Sequence, residues 1–279
     1  MARRSSKKLD PYPLLGRISP ATLACIMDLV KTRDNHIRKR QLSDEYVLNE
    51  IIRVVQHGMP WHQIVRGWSS VYKRFMLWTK LGIFRDAWRT TVKSYQDHKL
   101  ANDPKAFVRT IIDASMIGNQ RGEDCTGRNH YDRYRQGTKL SMIIDVRNIP
   151  IGYVLAPANV HDVKLVERTV ESIPGKLRND QRHVTTLIGD IGYLMLKPDK
   201  RRLFRNHRVR LVAPFKRNSK VSDRKKRDTL KECIGRYTIE HIFCRFDKFR
   251  RIRTRYERKI EYYESMLQIG LLINMRNIV

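Results

Sequence analysis

Cysteine is scarce and unpatterned in this chain. Its four residues, Cys25, Cys125, Cys233 and Cys244, form no CxxC pair, so no disulfide framework or zinc ribbon is encoded and they read as ordinary thiols of a reducing compartment. Cys233, His241 and Cys244 lie close together, but no fourth ligand stands at a zinc spacing. Long apolar runs are missing as well. The opening Met1-Ala-Arg-Arg-Ser-Ser-Lys-Lys8 is basic with no apolar segment behind it, which is not the pattern of a secretory signal. The apolar stretch from Leu267 to Ile273 is far too short to span a bilayer. These absences predict an intracellular protein with no membrane partner. No internal repeat is visible. The largest deficit is of acid: 28 Asp and Glu stand against 57 Lys and Arg, a net charge of +29 over 279 residues. Such an excess predicts a polyanionic partner, nucleic acid before any other. The cations occur in every segment, which implies a broad contact surface.

What is present divides near Asn102-Asp-Pro104. Residues 1–18 read as a flexible basic arm, discouraged from regular structure by Pro11 and Pro13. Residues 19–104 read as a helical domain. Ser19 caps one helix with Pro20 as its first residue, and Ser43 caps a second that Gly58 and Pro60 break. Ser69-Ser70 can cap a third, with Val71, Phe75 and Trp78 on one face and Lys73, Arg74 and Lys80 elsewhere on its surface. Helix, glycine turn and basic helix outline a helix-turn-helix DNA reader, or else a helical packing unit with solvated cations.

Residues 105–279 change period. Phe107–Asp113 reads as a strand ending in an acid, 118–137 as a polar loop, and Leu140–Val146 and Ile151–Ala156 as an antiparallel pair. A helix from His161-Asp162 to Ser172 leads to Val184–Ile188, which delivers Asp190. A helix over about 198–206 and the strand Val209–Ala213 follow. Lys216–Arg227, including Lys216 and Arg217, is either a solvated loop or a phosphate grip. Ile239, Ile242, Phe243 and Phe246 then recur at helical spacing, with Glu240 beside the apolar face. The cations Arg245, Lys248, Arg250 and Arg251 follow. The last helix spans about 262–276. Three meandering strands followed by right-handed crossovers make a mixed sheet in which the fourth strand lies beside the first. Asp113 and Asp190 then become neighbours, and Glu240 from a later helix can join them.

Three clustered carboxylates repel one another unless a cation neutralises them. An all-oxygen donor set favours Mg2+ or Mn2+ over zinc, and two such ions suit phosphoryl transfer on a nucleic acid. Taken singly, Asp113 and Asp190 could bond loop amides, and Glu240 could pair with Arg236 one turn earlier.

The ordered set of motifs resembles the DDE transposases of bacterial insertion sequences, in the superfamily named after insertion sequence five, over about residues 40–276. It comprises Val47–Trp61, Trp68–Phe75 with Trp78, Asp113-Ala-Ser115, Lys139-Leu140, Asn159-Val-His-Asp162, Gly189-Asp-Ile-Gly-Tyr193, Arg236 with Glu240, and Phe249–Arg258. The resemblance implies a ribonuclease-H-like α/β core behind a helical, helix-turn-helix-like domain. It further implies two divalent metals on Asp113, Asp190 and Glu240, and strand cleavage followed by strand transfer at DNA ends. Arg236, Tyr193, His161 and Lys248 take supporting places, His161 alternatively as a helix cap. Lys73, Arg74, Lys80, Lys216, Arg217, Arg250 and Arg251 become candidate contacts to duplex DNA, both element ends and target. A homodimer or larger assembly and, in a bacterial cell, a place in the cytoplasm or nucleoid are implied. The chain departs from the family's Tyr-x2-Arg-x3-Glu-x6-Lys pattern: Cys233 stands at the tyrosine position and Asp247 at the lysine, with Lys248 one step on, and Ile191 replaces the frequent lysine after the second acid. A transposase-derived DNA-binding protein and a ribonuclease-H-like nuclease are the rival functions.

Overall fold

A computed structural model describes residues 12–34, 41–129, 133–177 and 183–276. Four helices come first: α1 (Pro20–Arg33), α2 (Asp44–His57), α3 (Trp68–Lys80) and α4 (Ile83–Asn102). Ser19 and Ser43 cap α1 and α2 by accepting from the amides of Thr22 and Tyr46, both at 3.2 Å, which satisfies donors the first turn leaves open. Gly58 ends α2 with φ +69°, where a Cβ would lie 2.6 Å from Cβ of Arg250. Ser69 and Ser70 do not cap α3: it starts at Trp68, after the left-handed Gly67, without a side-chain cap.

The expected arm lies partly outside the described residues (1–11). The part that is described does not stand free. Leu15–Arg17 forms a 3-10 turn, Leu15 and Ile18 are buried, and the amide of Leu14 donates to Asn49 Oδ1 at 3.1 Å. Apolar residues at 14, 15 and 18 outweigh the prolines once α2 offers a surface.

The second half is built on a seven-stranded sheet among the described residues: β1 (Arg109–Asn119), β2 (Gly127–Arg128), β3 (Gln136–Asp145), β4 (Pro150–Pro157), β5 (Thr185–Ile188), β6 (Val209–Val212) and the short β7 (Thr254–Arg255). The central order is β4-β3-β1-β5-β6. The first three strands run antiparallel, and β5 and β6 run parallel to β1. This mixed order, with helical crossovers on the parallel side, is the ribonuclease-H-like arrangement. Between and after the strands come α5 (Asp162–Glu171), α6 (Lys197–His207), α7 (Asp223–Glu232), α8 (Thr238–Asp247), α9 (Arg250–Arg253) and α10 (Ile260–Asn274).

β1 does not stop at Asp113 but runs on to Asn119, its register with β3 reaching Gly118 opposite Gly137. Paired main-chain groups override the polar composition of that stretch. The run 216–227 is not wholly a loop, because its second half opens α7, whose residues are all at least partly exposed.

The apolar core does not divide at residue 104. One cluster joins Val47, Ile51, Phe75 and Trp88 of the helices to Ile112, Ile143 and Leu187 of the sheet. The link is α10, in which Tyr263, Met266, Leu267, Ile269 and Leu271 are fully buried against α2, α3, α4 and α9. Apolar on nearly every side, it behaves as a core helix of a larger body.

Candidate active site

β5 is only four residues long, and its ladder with β1 ends at Ile111 opposite Ile188. β7 joins β1 at Gly118 and Asn119. From 112 to 117, β1 therefore has a ladder partner only on the β3 side among the described residues, which opens a notch at the carboxyl end of β5. Crevices outside the carboxyl ends of parallel strands, where strand order reverses, are favoured ligand sites. Asp113 faces this notch in mid-strand. Asp190 enters it two residues after β5, accepting from the amide of Gly192 at 2.8 Å and so fixing the 3-10 turn Ile191–Tyr193.

Asp113 senses Asp190. Burial pushes the carboxyl of Asp113 up to about 6, and the charges of Asp190 and Asp162 push the same way, against the amide of Ala114 and the guanidinium of Arg236. Tyr193 is fully buried and its phenol is pushed far up, first by burial and then by Asp113, Asp162 and Asp190. The tyrosine of the expected motif thus sits within the field of all three aspartates.

Glu240 stands in the first turn of α8, whose Ile239, Ile242 and Phe246 are buried. Its own side chain is 59% exposed, and it meets the aspartates only through Arg236: Nη1 lies 3.8 Å from Asp113 Oδ2 and Nη2 lies 3.9 Å from Glu240 Oε1. The pairing with Arg236 is therefore present, and that guanidinium is what stands between Glu240 and Asp113. The three carboxylates are not drawn close enough to share one ion in this arrangement, since the only such group among the described residues is Glu167, Glu171 and His207, within 4.8 Å of one another. Those residues tie α5 to α6, with Arg202 on Glu167 at 3.0 Å, and lie outside the notch.

Two neighbours were quoted in the sequence without a role. Asp162, whose charge acts on Asp113 and Tyr193, pairs with Lys139 at 2.6 Å, and Lys139 also donates to the carbonyl of Val160 at 2.7 Å. Their signal was present in the motifs Lys139-Leu140 and Asn159–Asp162, but spacing alone could not bring β3 to the start of α5. His161 takes its alternative place as the cap of α5, Nδ1 accepting from Val163 at 3.4 Å. Lys248 is exposed at the end of α8.

Among the candidate DNA contacts, Lys73, Lys80, Lys216, Arg217 and Arg250 are exposed. Two are not surface cations. Arg74 is buried, ion-paired to Asp44, donating to the carbonyl of Leu42 at 3.0 Å and lying over the Trp78 ring. Arg251 is buried with Glu257 at 3.6 Å and lies over Tyr256. A desolvated guanidinium requires such partners, and both serve the fold. No helix among the described residues is long and apolar enough to cross a membrane.

Comparison with known proteins places the chain in a family. A protein named as the transposase of insertion sequence element IS402 from Burkholderia cepacia is 27% identical over 167 residues, covering 58% of this chain and 72% of that one. The piggyBac transposase, solved by cryo-electron microscopy in a synaptic complex with hairpin DNA, aligns over 94% of this chain and 71% of its own at 9% identity, with a TM-score of 0.44. The family described as Transposase DDE domain matches residues 105–275, a domain type that implies use of a divalent metal. With that match across more than half its length, the chain belongs to the DDE transposase family and is an enzyme of DNA transposition.

Proposed function

We propose that Asp113, Asp190 and Glu240 are the catalytic metal ligands and that the chain cuts and rejoins DNA at the ends of an insertion sequence. The observation that carries this reading is the placing of Asp113 and Asp190 at one notch beside β1 and β5, where burial, with the charge of Asp190 adding to it, raises the carboxyl of Asp113 to about 6. A buried carboxyl beside a second acid is a site short of positive charge, and an all-oxygen donor set suits magnesium or manganese. Two such ions, when bound, would supply Lewis-acid activation of an attacking water or 3′-hydroxyl and stabilisation of the leaving oxygen. The chain's own part is to hold the donors. β1 and the turn after β5 fix the aspartates, while exposed Glu240 can swing on α8 when Arg236 releases it. Lys139 pairs with Asp162 beside them. Arg236, freed from the carboxylates, becomes available to a phosphate.

Residues 19–104 act in this reading as the DNA-contacting helical unit and 105–279 as the catalytic unit. Lys73, Lys80, Lys216, Arg217 and Arg250 meet duplex phosphates. Two element ends must be held together, which calls for a dimer or larger assembly. The test is cleavage of labelled terminal-repeat DNA in magnesium, with a target plasmid present. Asp113→Ala, Asp190→Ala and Glu240→Ala should each abolish cutting and joining while duplex binding persists. Normal cleavage by the three variants would overturn the assignment. A bound complex without cutting by the parent chain would mark a DNA-binding derivative, and cutting without joining a nuclease.

A further inference from the structure

A cleft of about 1010 Å3 opens away from the notch, between the α2–α3 corner and the chain on either side of β7. It lies past Asn119, about 20 Å along β1 from Asp113 at ~3.3 Å per residue. Its floor is aromatic: Trp61 packs on Tyr72 and Phe75 at 5.2 and 5.1 Å between ring centroids, and Phe75 reaches Tyr262 at 6.1 Å. Two more rings line it without being needed for the core, Trp68 at 46% exposure and Tyr256 at 43%. Arg251, itself anchored by Glu257, supports the Tyr256 ring at 5.0 Å. Lys80, Arg121 and Lys259 also line the cleft and have no ion pair among the described residues.

Unpaired cations alone would suit any phosphate backbone. Exposed flat rings among them add nothing for a duplex, whose base faces are already stacked, but suit bases that have left the stack. We propose that this cleft holds one or two unstacked nucleotides of single-stranded DNA, with Trp68 and Tyr256 against the bases and Lys80, Arg121 and Lys259 against the phosphates; this rests on the transposase reading and deepens it.

The test uses the full chain and fluorescence anisotropy with two probes, a labelled oligothymidylate and a blunt duplex of mixed sequence, at one salt concentration. Trp68→Ala and Tyr256→Ala should each weaken oligothymidylate binding roughly tenfold, since stacking on one ring is worth about that much, and leave duplex binding unchanged. Trp68→Phe should restore most of the loss. Both rings are exposed, and an unchanged melting curve confirms that the variants fold. Equal losses for both probes would mean a backbone groove and overturn the proposal, as would no loss for either. A change in sedimentation without a change in oligothymidylate binding would make the cleft a protein interface, and also overturn it. Failure of the parent chain to bind either probe would remove the transposase reading with it, whereas intact duplex binding with no dependence on the rings removes the cleft alone.

Discussion

Arg236 holds Asp113 on one side and Glu240 on the other at nearly equal distances, and this sets the behaviour of the metal-free site. One cation shared between two acids leaves Asp113, already burdened by burial and by Asp190, only partly compensated. Its carboxyl titrates at about 6 against an ordinary 3.8, so between those values the folded chain binds more protons than the unfolded one, and stability falls as pH rises through that window. Asp113→Asn removes this cost. In urea denaturation without divalent ions, the variant should be more stable than the parent near about pH 8 by at most about 3 kcal/mol, two units at ~1.36 each, and equal to it near about pH 4. Added magnesium should reverse the order by stabilising only the parent. At this scale the acids were legible in the sequence, because few carboxylates stand at the ends of apolar runs in so basic a chain. Which cations were available was not. Arg74 and Arg251 look like their exposed neighbours until the fold supplies Asp44 and Glu257.

Among the elements, α3 separates two kinds of cation one residue apart. Arg74 is locked to Asp44 and to the carbonyl of Leu42, while Lys73 points to solvent. Arg74→Ala should cost about 2–3 kcal/mol by chemical denaturation, between the values of exposed and fully buried pairs. Lys73→Ala should change stability by less than about 0.5 kcal/mol and lower the salt slope of duplex binding by about one. The capping serines of α1 and α2, the β3–β4 turn and the parallel placement of β5 beside β1 could be read from local chemistry and the handedness of crossovers. The length of β1 could not. Its outer half, Ala114–Asn119, is specified by pairing with β3 and with β7, whose buried Arg255 donates to the carbonyl of Asp124 at 2.7 Å and to Thr138 Oγ1 of β3 at 3.1 Å. Such long-range bonds leave no periodic trace in either segment. The same holds for α7, which no buried face announces.

For the molecule as a whole, the continuous core decides how the chain can be cut. A boundary at 104 is sound as a change of composition, and the period does switch there from helix to strand. Yet α10 belongs to both sides, since its fully buried Met266, Leu267 and Ile269 serve a body that includes α2, α3 and α4. A fragment of residues 105–279 should therefore show no cooperative unfolding transition by circular dichroism, while the full chain should unfold in one step. A fragment that melts as sharply as the full chain would show that the two halves are independent.

The shared helix also imposes a delay. α4 ends at Asn102 and α10 begins at Ile260, so 158 residues (260 − 102) must be made before the first helices meet the surface that covers them. At about 5–20 residues per second on the ribosome, that is roughly 8–30 s. Throughout that interval the faces of α2, α3 and α4 that α10 buries are uncovered beside an excess of cations. The nascent chain thus presents chaperones with a long-lived client, and a ribosome that stops early releases a product unable to complete its core.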